Sequence, residues 1–541
     1  ADNEIAYISS DGKIVTPKAS SFGSTFMLEN KYEDGYGIML FSDAVTRIGD
    51  GVFEGCTTIE QIAIPQSIAE IGARAFSGCS SLISVSVPSV VTTIGSGAFK
   101  GCGALRDILF AGNSELGAIG NEAFRGCSSV VSVALPDSVS EIGDSAFFGC
   151  SALKEVKIGA QTELVSIGSR AFEHCVALES ISIPKHLSTL ADRAFAYCRS
   201  LTSVTLPDSL TSIGGSAFYS CSLLESVTLG RSVETIGNSA FSQCVNLIDI
   251  LLPDSLRVIG NNIFGGCQSL INIAIPDNVA RIPECAFLNC SKLESLTFGM
   301  GVEHIGLSAF SGCGSLKDIV LPEGVTTIEN SAFYGCTALQ SVVIPTTATT
   351  IGKSAFTGCT GELTLKVNVE NRTSSADGVF YGSKFSKVVI GNNVTAVGDY
   401  AFYDCKSIDS VVFGEAVETV GNYSFYGCTS VTSLAIPQGV RRIGEAAFKG
   451  CSTLTELIFA EDSLLDIIDK DAFSGCSLLG SIHIPNGVRT LGDSAFSGCS
   501  STTTVVVPAS VNSIGESVFK GCSGELTLNV DVADAASSTK G

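Results

Sequence analysis

The chain has 541 residues, 45% of them hydrophobic and only 16% charged, with 57 glycines, 21 cysteines and a formal net charge of −22. That balance excludes a nucleic-acid partner, which needs clustered Lys and Arg, and equally an anionic membrane surface. No apolar run reaches the ~18 residues of a membrane span, so no direct membrane insertion is expected.

Residues 1–43 carry two strand-like runs, Glu4-Ile-Ala-Tyr-Ile8 and Tyr36-Gly-Ile-Met-Leu-Phe41. They are expected to form an N-terminal β cap, because the first open edge of a stacked sheet pairs with foreign chains unless covered. No basic segment followed by an apolar one opens the chain, so it reads either as cytosolic or as a mature chain whose export signal has been removed.

From residue 44 onward one phrase returns about every 23 residues: L-x-x-V-x-Φ-P-x-x-V-x-x-I-G-x-x-A-F-x-G-C, with Φ apolar. Its Phe recurs twenty-one times, from Phe53 to Phe519. A fixed short period is the mark of a solenoid, in which each coil buries its apolar side chains against its neighbours. In the coil Leu201–Cys221, Val204 and Leu206 alternate with Ser203 and Thr205, as a strand with one buried face requires. Pro207 ends the strand, Asp208-Ser209 supplies a turn, and Leu210 and Ile213 form a shorter second apolar stretch. Gly214 is expected to let the backbone bend, and Ala217–Cys221 to close the coil as a helical turn. The expectation is a mainly β, right-handed solenoid of about 21 coils of ~23 residues, with short 3-10 or single-turn helical corners.

Twenty of the 21 cysteines stand three residues after the Phe. Equal roles in successive coils argue for a ladder of buried thiols acting as small hydrophobes rather than for disulfides. Cys285 alone departs, two residues before Phe287, where a chance substitution outweighs an exposed reactive thiol.

Three coils have 25 residues, the extra pair falling in 110–116, 158–164 and 459–465, where bulged turns are expected. The largest break lies at 360–387, where the Ile-Gly element gives way to Asn371–Gly378 and Ser383 stands in place of Cys. The chain is therefore divided into an N-terminal cap (1–43), a first solenoid block (44–359), an irregular coil with a protruding loop (360–387) and a second block (388–541). Lys366, Arg372, Lys384 and Lys387 make the irregular coil the most basic neighbourhood of an acidic chain and a candidate partner contact. Residues 524–530 repeat its broken phrase, and 531–541 are expected to be either a C-terminal cap or a truncated end.

No catalytic constellation, metal-ligand spacing or phosphate loop is present, so no enzyme activity, metal or cofactor is expected. Of the four histidines, His174, His186 and His304 are placed at corners or turns. His483 takes an outward strand position and joins the candidate contacts. The other outward positions, such as Ser226, Thr228, Asp249, Leu251, Asn272, Ala274, Asp318 and Val320, describe a flat, mostly neutral surface. It has no aromatic platform and the chain has no Trp, which disfavours a stacked sugar.

The units Leu206–Cys221 and Ile275–Cys290 resemble those of the BspA-like (Treponema-type) leucine-rich repeat proteins, including Bacteroides-like members, and the resemblance extends over about residues 44–530. It implies a leucine-rich-repeat solenoid at a bacterial cell surface or secreted, with no shared catalytic residues to carry over. It also implies adhesion or recognition: a host or matrix protein bound along the extended sheet, by a chain expected to be monomeric. The alternative is a structural spacer or aggregation module.

Overall fold

The computed structural model describes residues 2–18, 21–159 and 161–528. The chain forms two compact units, Ala1–Pro276 and Asp277–Gly541, each a stack of coils. The tail expected as a cap or truncated end, 531–541, lies outside the described residues.

In the first unit, β1 (Glu4–Ser9) lies between β3 (Tyr36–Phe41) and the first coil strand, Ile59–Ile62, antiparallel to both. β2 (Met27–Glu33) completes the hairpin with β3 and forms the outer edge of that sheet. The cap thus supplies partners for the backbone groups that the first coil would otherwise leave open.

Each regular coil contributes two strands to two parallel ladders. Ser203–Thr205 pairs in register with Ser226–Thr228, and Ser212–Ile213 with Thr235–Ile236. Alternation sends Val204 inward and leaves Ser203 and Thr205 exposed. Leu201, Val204, Leu206, Leu210, Ile213, Ala217, Phe218 and Cys221 are all at most 3% exposed, so one coil points eight apolar side chains at one core. The Phe rings stack along it. In the first unit, from Phe53 to Phe264, successive centroids stand 5.1–5.7 Å apart with interplanar angles of 16° or less.

The corners, expected as 3-10 or single-turn helix, are staircases of β-turns. Ala217, Tyr219 and Cys221 donate back to the carbonyls of Gly214, Ser216 and Phe218, while the intervening Ser216, Phe218 and Ser220 donate to Asn238, Ala240 and Ser242 of the next coil. A helix would return every amide to its own segment, whereas this corner sends alternate amides along the stack. Two left-handed residues per coil enforce the pattern, here Ser216 (φ 55°) and Ser220 (φ 57°). Among the described residues the one 3-10 turn is Ser375–Asp377, in the irregular coil. Gly214 is not in the left-handed region. It is required because a Cβ there would lie 2.6 Å from the Asp192 amide nitrogen of the coil before.

In the second unit the irregular coil keeps the long-strand ladder. Thr360–Leu365 pairs with Lys384–Ile390 through a register shift between Gly361 and Glu362. The short-strand ladder breaks between Thr350–Ile351 and Ala396–Val397, and side chains bridge the gap. Asn368 Oδ1 accepts from the Thr395 amide at 2.8 Å and Asn371 Oδ1 from that of Asp399 at 3.0 Å. Val369, Val379 and Phe380 remain buried, although the Phe356 and Phe380 rings tilt by 33°.

Candidate functional site

Outward residues of the long strands form a continuous face in each unit, because every coil presents the same two positions. Most are small and polar, but Leu251 in the first unit is 78% exposed and Val320 in the second 77%. Two shallow grooves are set into these faces. One, of about 600 Å³, is lined by Leu251, Arg231 and Pro253 among others. The other, of about 740 Å³, is lined by Glu456, Ile458, Ser481 and His483. Its rim includes Glu461, which stands on the turn closed by the Ser463 amide and the Ala460 carbonyl. That turn accommodates the two extra residues of a 25-residue coil, so the longer coil contributes Glu461 to the lining that His483 shares. The other two long coils turn in the same way, Ser114 donating to Ala111 and Thr162 to Gly159.

His483 is exposed on the strand Ser481–His483. Among the described residues no group of three or more His, Cys, Asp and Glu could hold a metal ion. The groove presents acidic and polar side chains around the His483 imidazole.

The four cations of the irregular coil are spread along it: Lys384 pairs with Thr360 at the start of the long strands, whereas Lys366 follows Leu365 at their end. Three already have partners: Lys366 with Glu323 at 2.8 Å, Arg372 with Glu370 at 3.3 Å and Lys387 with Glu362 at 3.0 Å. Arg372 also donates to the Ile351 carbonyl at 2.7 Å. Lys384 is exposed at the start of its strand. His186 is in a turn and His174 in a corner, but His304 is on the strand His304–Ile305 rather than at a corner.

The cysteines are all free. Burial pushes the thiols of Cys102, Cys150 and Cys244 up to about 12. The half-buried Cys285 is also raised, by burial and then by the neighbouring Glu284, which leaves it a poor nucleophile.

Aromatic residues missing from the strand face are found at the corners. In the first unit Phe148, His174, Tyr197 and Tyr219 make a run of ring contacts, with the Arg125 guanidinium 4.6 Å from the Phe148 centroid. In the second unit Tyr400 stacks on Tyr423 and Tyr403 on Tyr426. The signal was present in the sequence: each stacked tyrosine pair is separated by 23 residues, the coil period. It shows only when corner positions are read down successive coils, as the strand positions were.

The family described as "BspA type Leucine rich repeat region (6 copies)" matches residues 38–130, 117–248, 234–364, 373–464 and 461–532. The chain belongs to this BspA-type leucine-rich repeat family, and its fold is a mainly β leucine-rich-repeat solenoid. No curated protein matches. Among solved structures it is similar to a leucine-rich repeat protein from Bacteroides ovatus, at 26% identity over 82% of this chain and 92% of that one, TM-score 0.45. It is also similar to a leucine rich cell surface protein from Faecalibacterium prausnitzii, at 28% identity over 65% of this chain and 84% of that one, TM-score 0.29. A leucine-rich repeat protein from Eubacterium ventriosum matches at 23% identity over 54% of this chain and 81% of that one, TM-score 0.39.

Proposed function

We propose that this is a non-catalytic recognition protein, displayed on a bacterial surface or secreted, that holds a host or matrix protein on its strand faces. The observation that carries the reading is the set of exposed outward apolar side chains, Leu251 at 78% and Val320 at 77% foremost and Leu109, Val412 and Ile458 with them, on strand faces that otherwise present small polar residues. Folding gains nothing from an exposed Leu or Val at these sites, whereas a partner that covers them removes apolar area from water. The small side chains around them let a flat partner surface approach closely. Membership of the BspA-type family supports the surface assignment.

The test is capture of purified extracellular-matrix and plasma proteins by the immobilised chain, wild type against Leu251→Asp, Val320→Asp and His483→Asp variants. A partner retained by the wild type and lost by a strand-face variant that melts normally supports the proposal. Absence of saturable capture, or capture indifferent to all three changes, refutes it in favour of a spacer.

A further inference from the structure

Five of the eleven tyrosines lie between Tyr381 and Tyr426, in the corners of three consecutive coils of the second unit. Tyr400 and Tyr423 take the position two before the Phe, and Tyr403 and Tyr426 the position just after it. The stacked pairs have centroids 4.9 and 4.7 Å apart and interplanar angles of 4° and 2°. Across the grid Tyr400 stands 5.8 Å from Tyr403, and Tyr423 stands 6.0 Å from Tyr426. All four are part-exposed, and Tyr381, in the coil before, is 39% exposed.

Two features set this patch apart from an ordinary corner. Tyr400 and Tyr423 sit at φ 58° and 54°, a conformation that a bulky side chain adopts at a cost and that Ser holds in many other coils. The coil itself does not require Tyr there, since Ala446 occupies the same position one coil later at φ 51°. The border of the grid is acidic. Glu445 accepts from the Tyr423 hydroxyl at 2.9 Å, and Asp404 and Asp471 act electrostatically on Tyr403 and Tyr423. The nearby cations Lys406 and Lys449 each pair with one of those aspartates, at 3.3 and 3.2 Å.

We propose that this tyrosine grid is a second docking surface, separate from the strand faces, for an arginine-containing basic segment of a protein partner. Tyrosine suits such a surface because it offers wide contact area at little conformational cost and a hydroxyl at its rim. Guanidinium is the cation that fits: it lies flat against ring edges and faces and forks onto carboxylates such as Asp404 and Glu445. A compact ammonium would gain mainly the charge term. The negative charge of the whole chain draws in a basic segment, and the grid supplies the short-range contacts that hold it.

The experiment is calorimetric titration of the full chain with a synthetic Arg-Gly repeat peptide, with Lys-Gly and Glu-Gly peptides as comparators. The chain has no Trp, so emission comes from its eleven tyrosines, and quenching seen in the wild type but lost in the Tyr403→Ala, Tyr426→Ala variant reports occupancy of the grid. Saturable binding of the Arg-Gly peptide, tighter than Lys-Gly and absent for Glu-Gly, is expected. Tyr403→Ala with Tyr426→Ala should weaken it about tenfold. These two residues are not left-handed, and the change leaves the net charge untouched, so attraction by bulk charge alone would survive it. Tyr400→Phe with Tyr423→Phe keeps the rings and should weaken binding less. Undiminished affinity in a Tyr403→Ala, Tyr426→Ala variant that melts normally, or equal affinity for the Lys-Gly peptide, overturns the proposal.

Discussion

The Cys221 thiol donates to the carbonyl oxygen of Phe195, one coil back, at 3.2 Å. The Phe195 carbonyl also accepts from the Cys198 amide of its own coil at 3.2 Å. Cys is thus both a small core hydrophobe and a thiol tie between coils. Serine at that position could make the same bond but would lose the polarizable sulfur from the core.

Buried thiols should resist alkylation. At mildly alkaline pH in the native state, iodoacetamide should modify Cys56, Cys285 and Cys522, which are half-buried, and leave the fully buried cysteines untouched until denaturant is added. Peptide mass mapping before and after unfolding checks this.

The same burial makes stability fall with alkali. Cys102, Cys150 and Cys244 are raised from an ordinary 9.0 to about 12, so the folded state holds its protons more tightly than the unfolded chain. Their contribution is complete below pH 9 and is lost as pH rises toward about 12. The Tm should therefore decline across that window, and less steeply when these three are replaced by Ala. Equal slopes for both proteins would refute the linkage.

Removing one ring should have local consequences. Phe218→Ala deletes a fully buried side chain stacked 5.5 and 5.4 Å from Phe195 and Phe241, at a cost of about 3–5 kcal/mol. Limited proteolysis should then cut first near coils 195–241, whereas uniform digestion would contradict nearest-neighbour stacking.

Two nearby corner positions should respond unequally. Gly214→Ala forces a Cβ against the Asp192 backbone and should cost about 1–3 kcal/mol. Ser216→Gly releases a residue from φ 55° and should change stability by less than about 1 kcal/mol. Denaturant melts of the pair distinguish close approach from chain bending as the role of the Ile-Gly glycine.

Glu445 should govern one phenol. The Tyr423 hydroxyl bond to Glu445 raises Tyr423 to about 12, because the carboxylate favours the protonated donor. Glu445→Gln should shift one tyrosine titration toward about 10, read by ultraviolet absorbance.

The coil was legible because its inward positions repeat: Leu201, Val204, Ile213 and Phe218 can be assigned to a core from period and polarity alone. The corner was not. Its left-handed position two before the Phe is mostly Ser, Arg or Asn, and the one two after it, usually Gly, suits the end of a short helix equally well, so nothing local separates a staircase of turns from a helical turn. The strand face was half legible. Outward positions could be enumerated, but that Glu461 lines the groove with His483 depends on where the extra pair at 459–465 turns. The basic character assigned to 366–387 came from counting cations without Glu323, Glu362 and Glu370, of which Glu323 belongs to an earlier coil.

The corner amides carry an implication for how such chains change length. Ser216 completes its hydrogen bond on Asn238 ahead, while Gly214 completes one on Leu190 behind. A segment excised or duplicated as one full period rejoins both ladders in phase, whereas a partial one leaves severed donors on either side. Recombination at the level of the gene is therefore free to add or remove reach in whole steps, while off-period increments sit at strand exits, as in the three long coils, or break a ladder, as in the irregular coil.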